Sequence, residues 1–192
     1  MGDAKKKFEA LRALMREECD QWSKPPSDEE QATLQELLEL PAVRAVRATP
    51  ENLAVMGMTA KNCHENCAWY ADNDPGGEWE HVFGWWMQPS ALVLHSVIRR
   101  GDKYVCITPQ ADPAVKNDFL FIPDDAITPE KADDHYLLLR NGVSHHPGLR
   151  LDPQATIEYM AKVKERLSTK MNPYHAWQID YLGAQFDEPQ PR

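Results

Sequence analysis

Two strand-forming runs joined through a tight turn constrain this chain more than any other feature. Trp79 to Met87 and Leu92 to Arg99 are dense in aromatic and β-branched residues, with Pro89-Ser90 between them. Residues of those types suit extended, half-buried backbone. Arg100-Gly101-Asp102-Lys103 has the composition of a tight turn, and Tyr104 to Thr108 is the return strand. A two-residue turn at Gly101-Asp102 sets Arg100 opposite Lys103 and His95 opposite Thr108. Because side chains alternate along a strand, Cys106, Thr108 and Gln110 then share the face of His95. Phe119-Leu120-Phe121-Ile122, closed by Pro123-Asp124-Asp125, adds a short apolar strand.

Helical patterns bracket this sheet. Phe8, Leu11, Leu14, Met15, Cys19 and Trp22 recur at three- and four-residue steps and predict an amphipathic helix over 4–22, stopped by Lys24-Pro25-Pro26. Cys19 lies on its apolar stripe as a small buried hydrophobe. Ser27, with Glu30 three residues on, forms a capping box for a helix that buries Leu34, Leu37, Leu38 and Leu40. Residues 42–58 read as a short helix plus a strand, broken at Thr49-Pro50. Asn62 is placed to cap a helix running to about Ala71, with Glu65 returning the bond. Thr128-Pro129 predicts a partly helical segment over 128–139, and 141–151 a loop carrying His145 and His146. Asp152-Pro153 opens a last helix through Ile157, Met160, Val163 and Leu167, and the tail from Tyr174 to Phe186 is expected to pack back.

The fold class is therefore α+β, with N-terminal helices and a C-terminal helix packed on a small antiparallel sheet. The expected organisation is one domain over 1–192. Its parts are a helical stretch over 1–58, a helix plus sheet over 59–123, and a loop, helix and tail over 124–192.

A net charge of −9 argues against a nucleic acid partner, which needs a concentrated basic surface. No apolar run reaches the roughly 18–20 residues that span a bilayer. The N-terminus is charged from Asp3 onward and lacks a signal-peptide core, and Lys6 stands where myristoylation prefers Ser or Thr. A cytoplasmic chain with no membrane partner is expected. Four cysteines, at 19, 63, 67 and 106, make no disulfide framework in a chain this long. No Gly-rich phosphate loop, nucleophile-elbow serine or His-Glu-x-x-His motif is present, so no cofactor is expected.

The chemistry concentrates in Asn62-Cys63-His64-Glu65-Asn66-Cys67 and the strands after it. A helix start offers a thiol free amides and a partial positive charge, which favour the thiolate. Cys63 occupies that position, and a neighbouring histidine, His95, would hold the thiolate as an ion pair. The order of a helix-start cysteine, a strand histidine and a closing strand of V-x-D-x-T-P type resembles the papain-like and transglutaminase-like cysteine hydrolases over residues 59–123. The resemblance implies a papain-like arrangement, with Cys63 as nucleophile and His95 as base. Its acidic third member falls near Cys106, leaving Gln110 or Thr108, or the more distant Asp112, to orient the imidazole. The reaction implied is hydrolysis or acyl/amide transfer on a carbonyl of a small-molecule or peptide substrate, with Asn66 or Gln110 as an extra donor.

Other readings stand beside it. Cys63 and His95 are equally consistent with a buried thiol and a core histidine. Cys63 and Cys67, one helical turn apart, suit a zinc site with His81, His95 or Cys106, and less well a redox pair. Trp85 and Trp86 must point to opposite faces of a strand, so one is available to line a groove. The alternative function is a non-catalytic binding domain with a tryptophan-lined groove, in a zinc-stabilised form as a further variant.

Overall fold

The computed structural model describes residues 2–110, 117–132, 135–169 and 171–177. It has α+β architecture, with five helices and eight strands among those residues. The strand β1 (Val43–Arg47) precedes the short helix α3 (Pro50–Val55), which starts at the expected break: Thr49 Oγ1 accepts from Asn52 N and Pro50 fills the first turn. The remaining strands around the site are β2 (Glu80–Met87), β3 (Ala91–Arg100), β4 (Lys103–Cys106) and β5 (Asp118–Pro123).

These five strands close on themselves. Each pairs with its neighbour in the order β2-β5-β1-β4-β3, and β2 also pairs with β3 along its whole length. The sheet is a small barrel, and β1 runs parallel to β4, so the expectation of a purely antiparallel sheet is corrected. Closure leaves the ring without a free edge and defines an inside and an outside. The registers agree around the ring: Val82, Gly84 and Trp86, with Val97 and His95, Tyr104 and Cys106, Val43, Ala45 and Arg47, and Phe119 and Phe121, all share one face. Ala45, Val82, Val97, Cys106 and Phe121 form the buried inner cluster. Gly84 is required there, because a Cβ would stand 2.2 Å from the Ile122 carbonyl oxygen.

The hairpin register follows the expected turn, with Arg100 opposite Lys103 and Ile98 opposite Val105, and Gly101 at φ 58. It ends there. Pairing with β3 stops at Val105, while pairing with β1 runs from Tyr104 to Cys106, where Cys106 faces Arg47, so His95 and Thr108 are not ladder partners.

The outer face is covered by two groups. Trp85, Leu92 and Ile122 meet Leu37 of α2 (Asp28–Glu39), Ile127 of β6 (Ile127–Ala132) and Leu149 of β8 (Leu149–Arg150). Ile98 and Ile107 meet Cys67 of α4 (Cys63–Asp72) and Leu53 of α3. A separate core joins α1 (Gly2–Trp22) to α5 (Pro153–Ser168) through Met15, Cys19, Met160, Val163 and Leu167. Arg150 ties these parts together: it holds Glu30 through two nitrogens, 2.8 and 2.5 Å, and donates to the Trp22 and Lys24 carbonyls.

The segment read as partly helical over 128–139 is instead a hairpin of β6 and β7 (His135–Arg140). Pro129 is tolerated because this ribbon has only two strands, so a strand without one N–H loses no inner ladder. The tail packs back as far as Trp177, with Ala176 buried in the α1–α5 core; the rest of the expected tail lies outside the described residues. No helix among the described residues is long and apolar enough to cross a membrane.

Candidate functional site

Strand β3 hands alternate side chains to two environments. His95 points into the barrel and Ser96 points out, toward α4. Inside, His95 is 6% exposed and its Nε2 lies 3.3 Å from Cys106 Sγ. Arg47 Nη1 donates to the same sulfur at 3.4 Å. Its guanidinium carbon sits 4.7 Å from the ring centre of Trp86 and 4.4 Å from that of Phe119. The two aromatic faces hold this cation by ring electrostatics and contact. Burial pushes the Cys106 thiol up, against the opposing pull of the Thr108 amide and the Arg47 charge.

Outside, Ser96 is fully buried beneath α4, with His64 Nδ1 2.7 Å and His81 Nε2 2.8 Å from its hydroxyl oxygen. One hydroxyl carries one proton, so one imidazole accepts it and the other donates an N–H. Burial lowers the His64 pKa to about 4, with Glu65 pulling up and His81 pulling further down. His81 is lowered by burial as well. The cluster latches the first turn of α4 to β2 and β3.

Cys63 begins α4, as the sequence indicates, but Asn62 makes no side-chain cap. The thiol is 9% exposed. Burial raises its pKa to about 11, while the Ser96 backbone N–H directed at its sulfur pulls the other way and Cys106 and Glu65 push it higher. That amide is free because β4 stops pairing with β3 at Ile98, and Phe83, opposite Ser96, gives its carbonyl to Asp124 N. Cys63 therefore sits against the peptide that follows His95. Burial lowers His95 to about pH 3, reinforced by Arg47 and His64. Burial favours the neutral form of both thiol and imidazole, and no hydrogen bond joins the two side chains.

The other expected residues fall elsewhere. Gln110 Nε2 donates to the Thr108 carbonyl at 3.1 Å instead of orienting His95; the sulfur of Cys106 takes that place. Asp112 lies outside the described residues. The Asn66 amide is spent on Thr59, donating to its carbonyl at 2.8 Å and accepting from its N–H at 3.1 Å. Trp85 is fully buried, its Nε1 donating to Asp124 Oδ2 at 2.8 Å, so it lines no groove. Trp86 stacks inside the barrel. His145, in the expected loop, is 9% exposed beside Trp85. The zinc arrangement is not gathered: His81 faces outward to Ser96, His95 and Cys106 face inward, and no three candidate ligands group among the described residues. All four cysteines are free and buried.

Sequence reasoning missed Arg47, Phe119, His64 and Ser96, because only ring closure brings β1 and β5 to His95. It also missed an apolar pocket of about 300 Å³ beside α4, lined by Met56, Tyr70, Trp79, Ile98, Val105 and Ile107, with Asn52 as a polar member. Trp79 is the tryptophan that lines this pocket. The chain matches no protein-family model, no curated protein and no solved structure.

Proposed function

We propose that this chain is a cysteine-dependent hydrolase or acyl transferase in which Cys63 attacks a carbonyl carbon and His95 moves the proton. What supports the reading is the seat of Cys63: it opens α4 against the peptide between His95 and Ser96, while the His95 imidazole turns inward to Cys106. Both groups rest neutral, so the thiol proton passes to His95 as the carbon–sulfur bond forms, as in general-base catalysis. Amides of the first turn of α4 stabilise the oxyanion. His95 then returns the proton to the leaving group, and water or a second nucleophile releases the acyl group.

The test is acylation by p-nitrophenyl acetate, followed by mass spectrometry of the intact chain and its peptides. Acetyl on Cys63, lost in Cys63→Ala and slowed at least tenfold in His95→Ala, is the expected result. Absence of any Cys63 adduct in the folded wild-type chain overturns the proposal.

A second reading is favoured by the apolar pocket, whose volume is at the lower end of the range for small-molecule sites. Here the chain binds a small apolar molecule against Trp79 without chemistry. Saturable binding of an apolar probe such as N-phenyl-1-naphthylamine, read by the rise in the probe's own fluorescence, abolished in Trp79→Ala and unchanged in Cys63→Ala, supports it.

A further inference from the structure

The inner face of the barrel holds a thiol arrangement that the proposed acyl chemistry does not need. Cys106 is one of four buried cysteines, and its surroundings differ from those of the other three. Cys19 lies in the α1–α5 core, Cys67 packs on Ile98 and Ile107, and Cys63 takes a backbone amide. Cys106 has two nitrogen groups on its sulfur, Arg47 Nη1 at 3.4 Å and His95 Nε2 at 3.3 Å. Two residues on, Thr108 is 4% exposed and its hydroxyl has no partner among the described residues. The Thr108 carbonyl already accepts from Gln110 and faces the same sulfur at 3.9 Å.

A sulfur in that setting is matched to its oxidised form better than to its thiol. A neutral thiol is a weak acceptor and gains little from a guanidinium. A sulfenate oxygen is a strong anionic acceptor, and charge-assisted bonds to Arg are about twice as strong as neutral ones. The guanidinium is also held in place between Trp86 and Phe119, so little order is lost when it takes up the anion.

We infer that Cys106 is the peroxide-sensitive thiol of this chain, oxidised by hydrogen peroxide to a sulfenic acid whose oxygen is held by Arg47 and His95. In the step, the thiol proton moves to His95 Nε2 and the sulfur attacks one peroxide oxygen. The O–O bond breaks, and the departing hydroxide recovers the proton from His95 as water. Sulfur loses two electrons and the peroxide gains them, giving R–SOH and water from R–SH and H₂O₂. Peroxide is close to water in size, so it reaches sites that bulkier reagents do not. When the sulfenic acid then loses its proton to water, the sulfenate places an anion beside His95 and raises the imidazole pKa from its depressed value.

The four thiols within one folded chain supply the control, since Cys19, Cys67 and Cys106 are all fully buried and Cys63 nearly so. The wild-type chain is treated with hydrogen peroxide, quenched with catalase, then unfolded in urea containing dimedone, and each cysteine peptide is quantified by mass spectrometry. Cys106 is expected to carry the adduct first, at least tenfold ahead of Cys19 and Cys67. Arg47→Met is expected to remove that lead. Should Arg47→Met not fold, the ranking in the wild-type chain decides alone. Equal labelling of the buried thiols, or Cys63 labelled ahead of Cys106, overturns the inference. The outcome does not depend on whether Cys63 turns over an acyl substrate.

Discussion

Gly84→Ala tests the closed barrel on which every inward-facing assignment depends. Gly84 lies in β2 opposite His95 and Pro123, with its α-hydrogens turned inward. A Cβ there would stand 2.2 Å from the Ile122 carbonyl oxygen and 2.5 Å from Phe121 Cζ. Comfortable contact begins near 3.5 Å, so β2 and β5 would have to separate by about 1 Å. In an open sheet the edge would splay. In a ring, β5 is held by β1 on its other side and β2 by β3, so the strain spreads around all five strands. The φ of Gly84 is not in the left-handed region, so the effect is steric alone.

Overpacking typically costs about 1–3 kcal/mol, and backbone displacement places this case at the upper end, about 3 kcal/mol or more. For a chain of this size that lowers Tm by roughly 6–12 °C. Urea unfolding read by tryptophan fluorescence, with Tm from calorimetry, measures it. Gly76→Ala is the control, because its Cβ would meet only the exposed Glu78 side chain at 3.4 Å, and a change within about 0.5 kcal/mol is expected. Adding Phe121→Leu to Gly84→Ala relieves the ring contact but not the carbonyl contact, so rescue should be less than half. A Gly84→Ala chain as stable as the wild type would refute the ring closure between β2 and β5, and with it the placing of His95 and Cys106 in one interior.

Three further outcomes follow from the electrostatics. His64 and His95 are neutral in the folded chain, with pKa values near 4 and near 3, while both sit near 6.5 when unfolded. Between pH 6.5 and 4.5 the unfolded chain therefore binds the extra protons, and stability falls as pH falls, by about 1.4 kcal/mol per pH unit for each of these two histidines, with His81 and His145, also lowered by burial, adding in the same sense; urea midpoints that stay level from pH 7 to 5 would contradict this, and His95→Gln should make the slope shallower. Asp124, whose carboxylate takes both Trp85 Nε1 and Arg140 Nε, is expected to cost about 3–5 kcal/mol on change to Ala, since a buried cation loses its partner. Glu36, on the same arginine but 60% exposed, should cost under about 1 kcal/mol, and equal losses at the two positions would show that burial does not set the difference.

Elements with local signals were readable from sequence. The cap at Ser27, the helix start at Asp152-Pro153, the break at Thr49-Pro50, the turn at Gly101-Asp102 and the apolar strand Phe119–Ile122 depend on neighbours within a few residues, and each is present. What sequence could not supply is pairing between distant strands. The parallel partnership of β1 with β4 links residues about sixty apart, and nothing in Val43–Arg47 announces it. The misreading of 128–139 has a different cause: Thr128-Pro129 is a sound helix start, but cross-strand pairs such as Thr128 with Leu139 outweigh that local preference. The site divides in the same way. Cys63 at a helix start and the shared face of His95 and Cys106 are local consequences of capping and strand alternation. Arg47 and Phe119 reach His95 only through ring closure.

At Cys63 the helix-start signal is set against burial. The charge field of a helix N-terminus is worth about 0.3–2 kcal/mol, at most some 1.5 pKa units. Removing a thiolate from water works in the opposite sense and reaches 3–5 units for fully buried groups. With 9% of its surface exposed, Cys63 falls on the side of burial. A helix start therefore activates a cysteine when the sulfur also remains wet or gains a cation. In this fold the guanidinium that would supply such a charge is Arg47, and ring closure directs it at the inner sulfur of Cys106. The ordering of thiol reactivity is thus set by which face of the barrel each sulfur meets: acyl chemistry at Cys63 must draw its proton transfer from a neutral His95, whereas an oxidised Cys106 finds its counter-charge already in place.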